Sequence, residues 1–146
     1  MRVDFYQLSR DPVDQVVALL ARKVMGAGAK LLVVSGDIAA HEAISKTLWA
    51  QDGSAFLAHG PAGGPHDARQ PILLSDNCSA ANGATMVILA DGKWREDAAQ
   101  FERVLLLFGP EDTAAARDLW RTMSGDDTRD LHIFKQTPDG AWREGR

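Results

Sequence analysis

Apolar residues along this chain fall into two alternating patterns. Short runs of branched and aromatic residues, which read as strands, are separated by longer stretches with helical spacing. Val3 to Leu8 predicts an opening strand. Asp11-Pro12 then marks a helix start, with Asp11 as the cap, Pro12 at the first helical position and Asp14 at the third. Val13, Val16, Val17, Leu20 and Val24 recur on one face of a helix that ends near Gly26 or Gly28. Lys30 to Ser35 holds the run Leu31-Leu32-Val33-Val34, typical of a strand covered on both sides. A second helix is expected over 37–50, with Ile44, Leu48 and Trp49 as its heavier apolar residues.

Residues 51–70 are punctuated by Pro61, Gly63, Gly64 and Pro65 and read as loop. Strands follow over 71–75 and 84–90, separated by an Asn82-Gly83 turn, and a short helix can start near Glu96. Phe101 to Phe108 is apolar enough for either state, but its branched run ahead of Gly109-Pro110 favours a strand. The last helix is placed over 112–123 and the last main strand over 131–136. Pro138-Asp139-Gly140 folds Ala141-Trp142 back as a hairpin arm. The alternation predicts one α/β domain over 1–146: three layers, with helices on both faces of a mainly parallel central sheet.

Charge and composition narrow the function. Acidic residues outnumber basic ones 20 to 16, which argues against strong direct DNA binding, because gripping a phosphate backbone needs clustered Lys and Arg. The single Cys78 cannot form an internal disulfide and suits a reducing compartment. Asp4 interrupts the N-terminus before any long apolar segment develops, and no stretch reaches membrane-spanning length, so a cytoplasmic location is expected.

Candidate chemistry is sparse. The βα connections Leu8-Ser9-Arg10-Asp11-Pro12 and Val34-Ser35-Gly36-Asp37 lack the glycine spacing of a dinucleotide loop, and no Walker-type Gly-Lys-Ser/Thr occurs. His59, His66 and Asp67, with His41 upstream, are too irregularly spaced for a zinc site. Cys78 has no base within reach in sequence. No catalytic residue, cofactor or metal ligand is therefore assigned. The alternative is a nucleotide- or metal-dependent enzyme on the same sheet, with Asp37 or the His59/His66 loop pointing into a cleft at the carboxyl ends of the strands.

The final helix offers more. Ala116, Leu119 and Met123 share a core stripe. Arg117, Arg121 and Ser124 lie roughly a third of a turn away, with Trp120 on the border. On periodicity alone the plainer reading leads: arginines snorkelling around a half-buried tryptophan. The functional reading has Trp120 wall an apolar slot while Arg117 and Arg121 hold a carboxylate through paired N–H donors. Similarly, Trp49, Phe56 and Leu57 can seal a sheet edge or form an aromatic interface.

An ordered set of short segments resembles the chi subunit of bacterial DNA polymerase III. The segments are Val3-Asp4-Phe5-Tyr6-Gln7-Leu8, Leu48-Trp49, Phe56-Leu57-Ala58-His59-Gly60, Pro71-Ile72-Leu73-Leu74, Phe101 through Phe108, Ala116-Arg117-Asp118-Leu119-Trp120-Arg121, Lys135-Gln136 and Gly140-Ala141-Trp142. Each is weak alone; their order over nearly the whole chain is specific. The chain departs from the family's Ser-Phe-Leu-Pro-His-Gly by an extra Ala55 and by Ala58 in place of proline. Ser45 stands where an Asp often precedes the Leu-Trp pair.

The resemblance implies a Rossmann-like fold and a non-enzymatic accessory role in the clamp loader. It also implies two partners, the psi subunit and the acidic C-terminal tail of single-stranded DNA-binding protein. By the same resemblance Arg117, Trp120 and Arg121 form the peptide site, and Trp49, Phe56, Leu57 and His59 form the psi-facing surface.

Overall fold

In the computed structural model, which describes residues 1–50 and 58–145, strands and α-helices alternate at both ends of the chain as the apolar pattern predicts. Among the described residues between, only short 3-10 turns, one of them at Glu96–Gln100, interrupt the strands. Strand β1 (Arg2–Gln7) leads to helix α1 (Val13–Gly26), β2 (Leu31–Val34) and α2 (Ile38–Trp49). After the undescribed segment come β3 (His59–Pro61), β4 (Ile72–Ser75), β5 (Met86–Leu89) and β6 (Arg103–Phe108). Helix α3 (Thr113–Ser124), β7 (Asp130–Gln136) and β8 (Trp142–Gly145) complete the chain. Among the described residues the strands form one eight-stranded sheet, ordered β3-β4-β2-β5-β6-β1-β7-β8. Every neighbouring pair is parallel except β7 and β8.

Successive strand residues face opposite sides of a sheet, so continuous apolar runs serve two cores. Leu31 and Val33 join Val17, Leu20, Ile44 and Leu48 under α1 and α2. Leu32 and Val34 join Phe5, Leu106, Ala116 and Met123 under α3. This is the three-layer α/β arrangement that the sequence pattern predicts.

Several local expectations are corrected. Pro12, in extended conformation (φ −69°, ψ 160°), is the N-cap of α1, and no side chain caps the helix. Asp11 instead accepts from Gln136 Nε2 at 2.8 Å. At the other end Gly28 adopts φ 75°, and the Ala29 amide returns to Val24 O at 3.2 Å, closing the helix through the left-handed turn that glycine adopts without a Cβ clash. The stretch 51–70, read as loop, contains β3, a three-residue strand hidden by Gly60 and Pro61. Asn82 and Gly83 do turn the chain, but β4 and β5 are not partners, because β2 lies between them. Asn82 is buried and brackets that arrangement, donating to Leu31 O and Gln70 O at 3.2 and 3.0 Å.

Candidate functional site

Helix α3 presents a graded cross-section to the sheet. Ala116 and Met123 are buried, Leu119 and Trp120 half-buried, and Arg117 and Arg121 exposed. The Trp120 ring meets Phe5 of β1 edge-on, with centroids 5.1 Å apart and planes at 69°. Beyond Trp120 the helix stops covering the sheet, and Leu131 and Ile133 of β7 remain half-buried. The result is a groove of about 840 Å³ between α3 and the β1–β7–β8 margin. Its floor is Phe5, Leu131 and Ile133, and its helical wall carries Arg117, Trp120 and Arg121. The structure thus brings together the three residues that the last helix offered in sequence.

The groove is basic in an acidic chain. Arg129 and Lys135 line it opposite the helix, and Gln7 adds an amide. Among the described residues Arg117 has no ion-pair partner. Arg121 reaches Asp118 at 3.4 Å, but both side chains are about three-quarters exposed, so that pair holds Arg121 only loosely. Arg129 is fixed more firmly, 3.3 Å from Asp126 and over the Trp94 ring at 5.5 Å. Glu144 is the acid at the rim, and its carboxylate is taken by His132 Nδ1 at 2.6 Å. An apolar floor with exposed guanidinium groups along one wall, one of them only loosely paired, suits a ligand that carries both carboxylates and a large apolar side chain. Phe5, Ile133, Arg129 and Lys135 were not singled out by sequence. Period-two alternation puts Leu131 and Ile133 on one face, but only the sheet order shows that this is the face of Phe5.

At the far end of α2, Trp49 is 54% exposed, a large apolar surface facing solvent. Its ring lies 4.5 Å from that of His59, tilted by 45°. His59 is buried and hydrogen-bonded through Nε2 to Ser45 Oγ at 2.8 Å, so it supports Trp49 from beneath. Phe56 and Leu57, expected on the same surface, lie outside the described residues.

The carboxyl ends of β2 and β5, where the alternative enzyme would bind, are occupied by internal pairs. Asp91 accepts from Gly36 N at 3.0 Å and from both terminal nitrogens of Arg95 at 3.0 and 2.8 Å. Burial pushes the Asp91 carboxyl up, but the Arg95 pair and the Gly36 and Lys93 amides outweigh it and hold the group below the usual carboxylate range. Asp37 caps α2 by accepting from Ala39 N at 3.0 Å. Cys78 is buried in the core under α3, and burial pushes its thiol up, away from thiolate reactivity. Among the described residues no group of three or more His, Cys, Asp or Glu is placed to hold a metal ion. None of their helices is long and apolar enough to cross a membrane.

Fold and groove together describe an α/β protein with a mainly parallel sheet and an apolar, basic-walled groove where its last helix leaves the sheet margin uncovered. Residues 1–129 match the family described as DNA polymerase III chi subunit, HolC. The chain is also 20% identical over 146 residues to the probable DNA polymerase III subunit chi of Rickettsia prowazekii (strain Madrid E), a match covering 95% of this chain and 88% of that protein. The chain belongs to the DNA polymerase III chi subunit family, and with that membership goes a non-catalytic subunit identity.

Proposed function

We propose that this chain tethers the clamp-loader complex of the replicative polymerase to single-stranded DNA-binding protein, gripping the acidic C-terminal tail of that protein in the groove beside α3. The observation that carries the reading is the groove itself. Its wall and far side hold Arg117, Arg121, Arg129 and Lys135 around an apolar floor, in a chain of net charge −4. An acidic peptide with an aromatic end matches both features. Arg117 takes a carboxylate, and the aromatic ring packs beside Trp120. A psi-like partner docks on the exposed Trp49 face, with Phe56 and Leu57 contributing. Each copy of the coating protein offers a flexible tail, so even a weak site raises the local concentration of the clamp loader near coated strands. The same reading places the chain in the cytoplasm.

Titration of a fluorescent acidic peptide ending in Phe tests the reading. Loss of one member of a charge-paired contact commonly costs about 2–5 kcal/mol, so Arg117→Ala weakens binding by roughly thirtyfold or more. Arg117→Lys recovers only part, since an ammonium lacks the planar fork. Equal affinities for all three proteins overturn the assignment. Tighter binding of a single-stranded oligonucleotide than of the peptide reassigns the groove to nucleic acid.

A further inference from the structure

The groove's outer rim is β8, an edge strand fastened at two points. Near its start Trp142 packs edge-on against Tyr6, with centroids 5.5 Å apart. Near its end the fastening is His132 on β7, which reaches diagonally to Glu144. Each imidazole nitrogen faces a carboxylate: Nδ1 lies 2.6 Å from Glu144 Oε2, and Nε2 lies 3.1 Å from Asp130 Oδ2. Nε2 is shielded from water and sits off-axis for a hydrogen bond to Asp130. A neutral ring donating to Glu144 would leave its electron-rich Nε2 3.1 Å from a carboxylate oxygen, which is repulsive; an imidazolium makes both contacts attractive.

The charges nearby lead to the same protonation state. On this side of the sheet β1 brings Arg2 and the buried Asp4, and β6 brings Arg103 behind Asp4. With Asp130 and Glu144 that is two guanidinium groups against three carboxylates, a deficit that one imidazolium closes. Arg143 and Lys135 alternate onto the opposite face, where α3 carries Arg117 and Arg121.

We propose that His132 is a protonation-dependent latch that holds the end of β8 on β7, so that the grip of the groove on an acidic peptide weakens when the latch releases. The proposal rests on the groove reading above for its ligand. Its direction follows from the neighbours. The Glu144 hydrogen bond, then Asp130, raises the His132 pKa, against burial and Arg2. The latch is closed below that raised pKa and opens as pH rises through it. Opening frees Glu144 and Gly145 at the rim and withdraws a positive charge, and both effects disfavour an acidic ligand.

The test compares wild type, His132→Gln and Glu144→Gln over about pH 5.5–8.5 at fixed ionic strength. NMR follows the His132 ring and the exchange of the Gly145 amide, which faces Ile133 of β7, corrected for its intrinsic rate, while the acidic Phe-terminated peptide is titrated in parallel. In wild type the ring titrates above the ordinary histidine range, and Glu144→Gln lowers that titration. Above the pKa the Gly145 amide loses protection and peptide affinity drops by about two- to fivefold, the effect of a partly exposed ion pair. His132→Gln shows a flat profile in both. A wild-type profile matching that of His132→Gln, or β8 protection unchanged through the titration, overturns the latch. If no protein binds the peptide at any pH, the groove reading falls, and amide exchange alone decides the latch.

Discussion

Gln136 fastens the approach to α1 onto its end of the sheet. Its side chain is buried, and Oε1 accepts from the amides of Ser9, Arg10 and Asp11 at 3.2, 3.0 and 3.1 Å. Its Nε2 donates to Asp11, so one amide ties the approach to α1 onto the end of β7. Gln136→Leu strands three N–H groups that water reaches only in part, and we expect a loss of about 2 kcal/mol, read from urea midpoints. Gln136→Glu keeps the acceptor but sets a second carboxylate against Asp11. It destabilises above the carboxylate range, and adding Asp11→Asn restores most of the loss. In sequence Lys135-Gln136 served only as part of a family resemblance, because the three amides lie about 125 residues away. Asp4 was equally unreadable: an acid inside an apolar strand gains its meaning only from Arg2 and Arg103 at 2.8 and 2.5 Å.

Helices α1, α2 and α3 fall within a residue or two of their expected bounds, because amphipathic spacing and breakers act locally. Asp37 shows how local the signal is: the residue that opens α2 in sequence also caps it in space. Asp37→Ala removes that acceptor and lowers stability by about 1 kcal/mol, whereas Asp37→Ser retains most of it; thermal melts of the two variants separate these outcomes. The strands divide differently. Runs such as Leu31–Val34 announce themselves, but β3 has only three residues and no alternation to display. The start of α1 departs from the expected cap for a related reason. Asp11 has the right chemistry for a cap, but its carboxylate is claimed by a partner on a distant strand. Half of the candidate groove was legible in the same sense. Arg117, Trp120 and Arg121 share a helical face by spacing alone, whereas Phe5 and Ile133 meet beneath them only because β1 lies beside β7.

For the molecule as a whole, the groove beside α3 and the Trp49 surface belong to opposite layers, since α2 packs with α1 and α3 covers the other face. The two proposed partners would then not compete for area. Trp49→Ala is expected to abolish capture of a psi-like protein while leaving the melting temperature nearly unchanged, because about half of the ring already faces solvent. The same variant binds the acidic peptide as wild type does. A shift of both affinities would show that the surfaces are coupled. The position of β1 has a consequence of another kind. It sits between β6 and β7, with Arg2 in register with Arg103 on one side and Asp130 on the other. Among the described residues, β1 therefore has no sheet neighbour until about a hundred further residues have been synthesised. Closing so long a loop before any pairing compensates is slow. Meanwhile Val3 and Phe5 stay exposed on the nascent chain, within reach of chaperones, until β6 and β7 emerge to pair with β1.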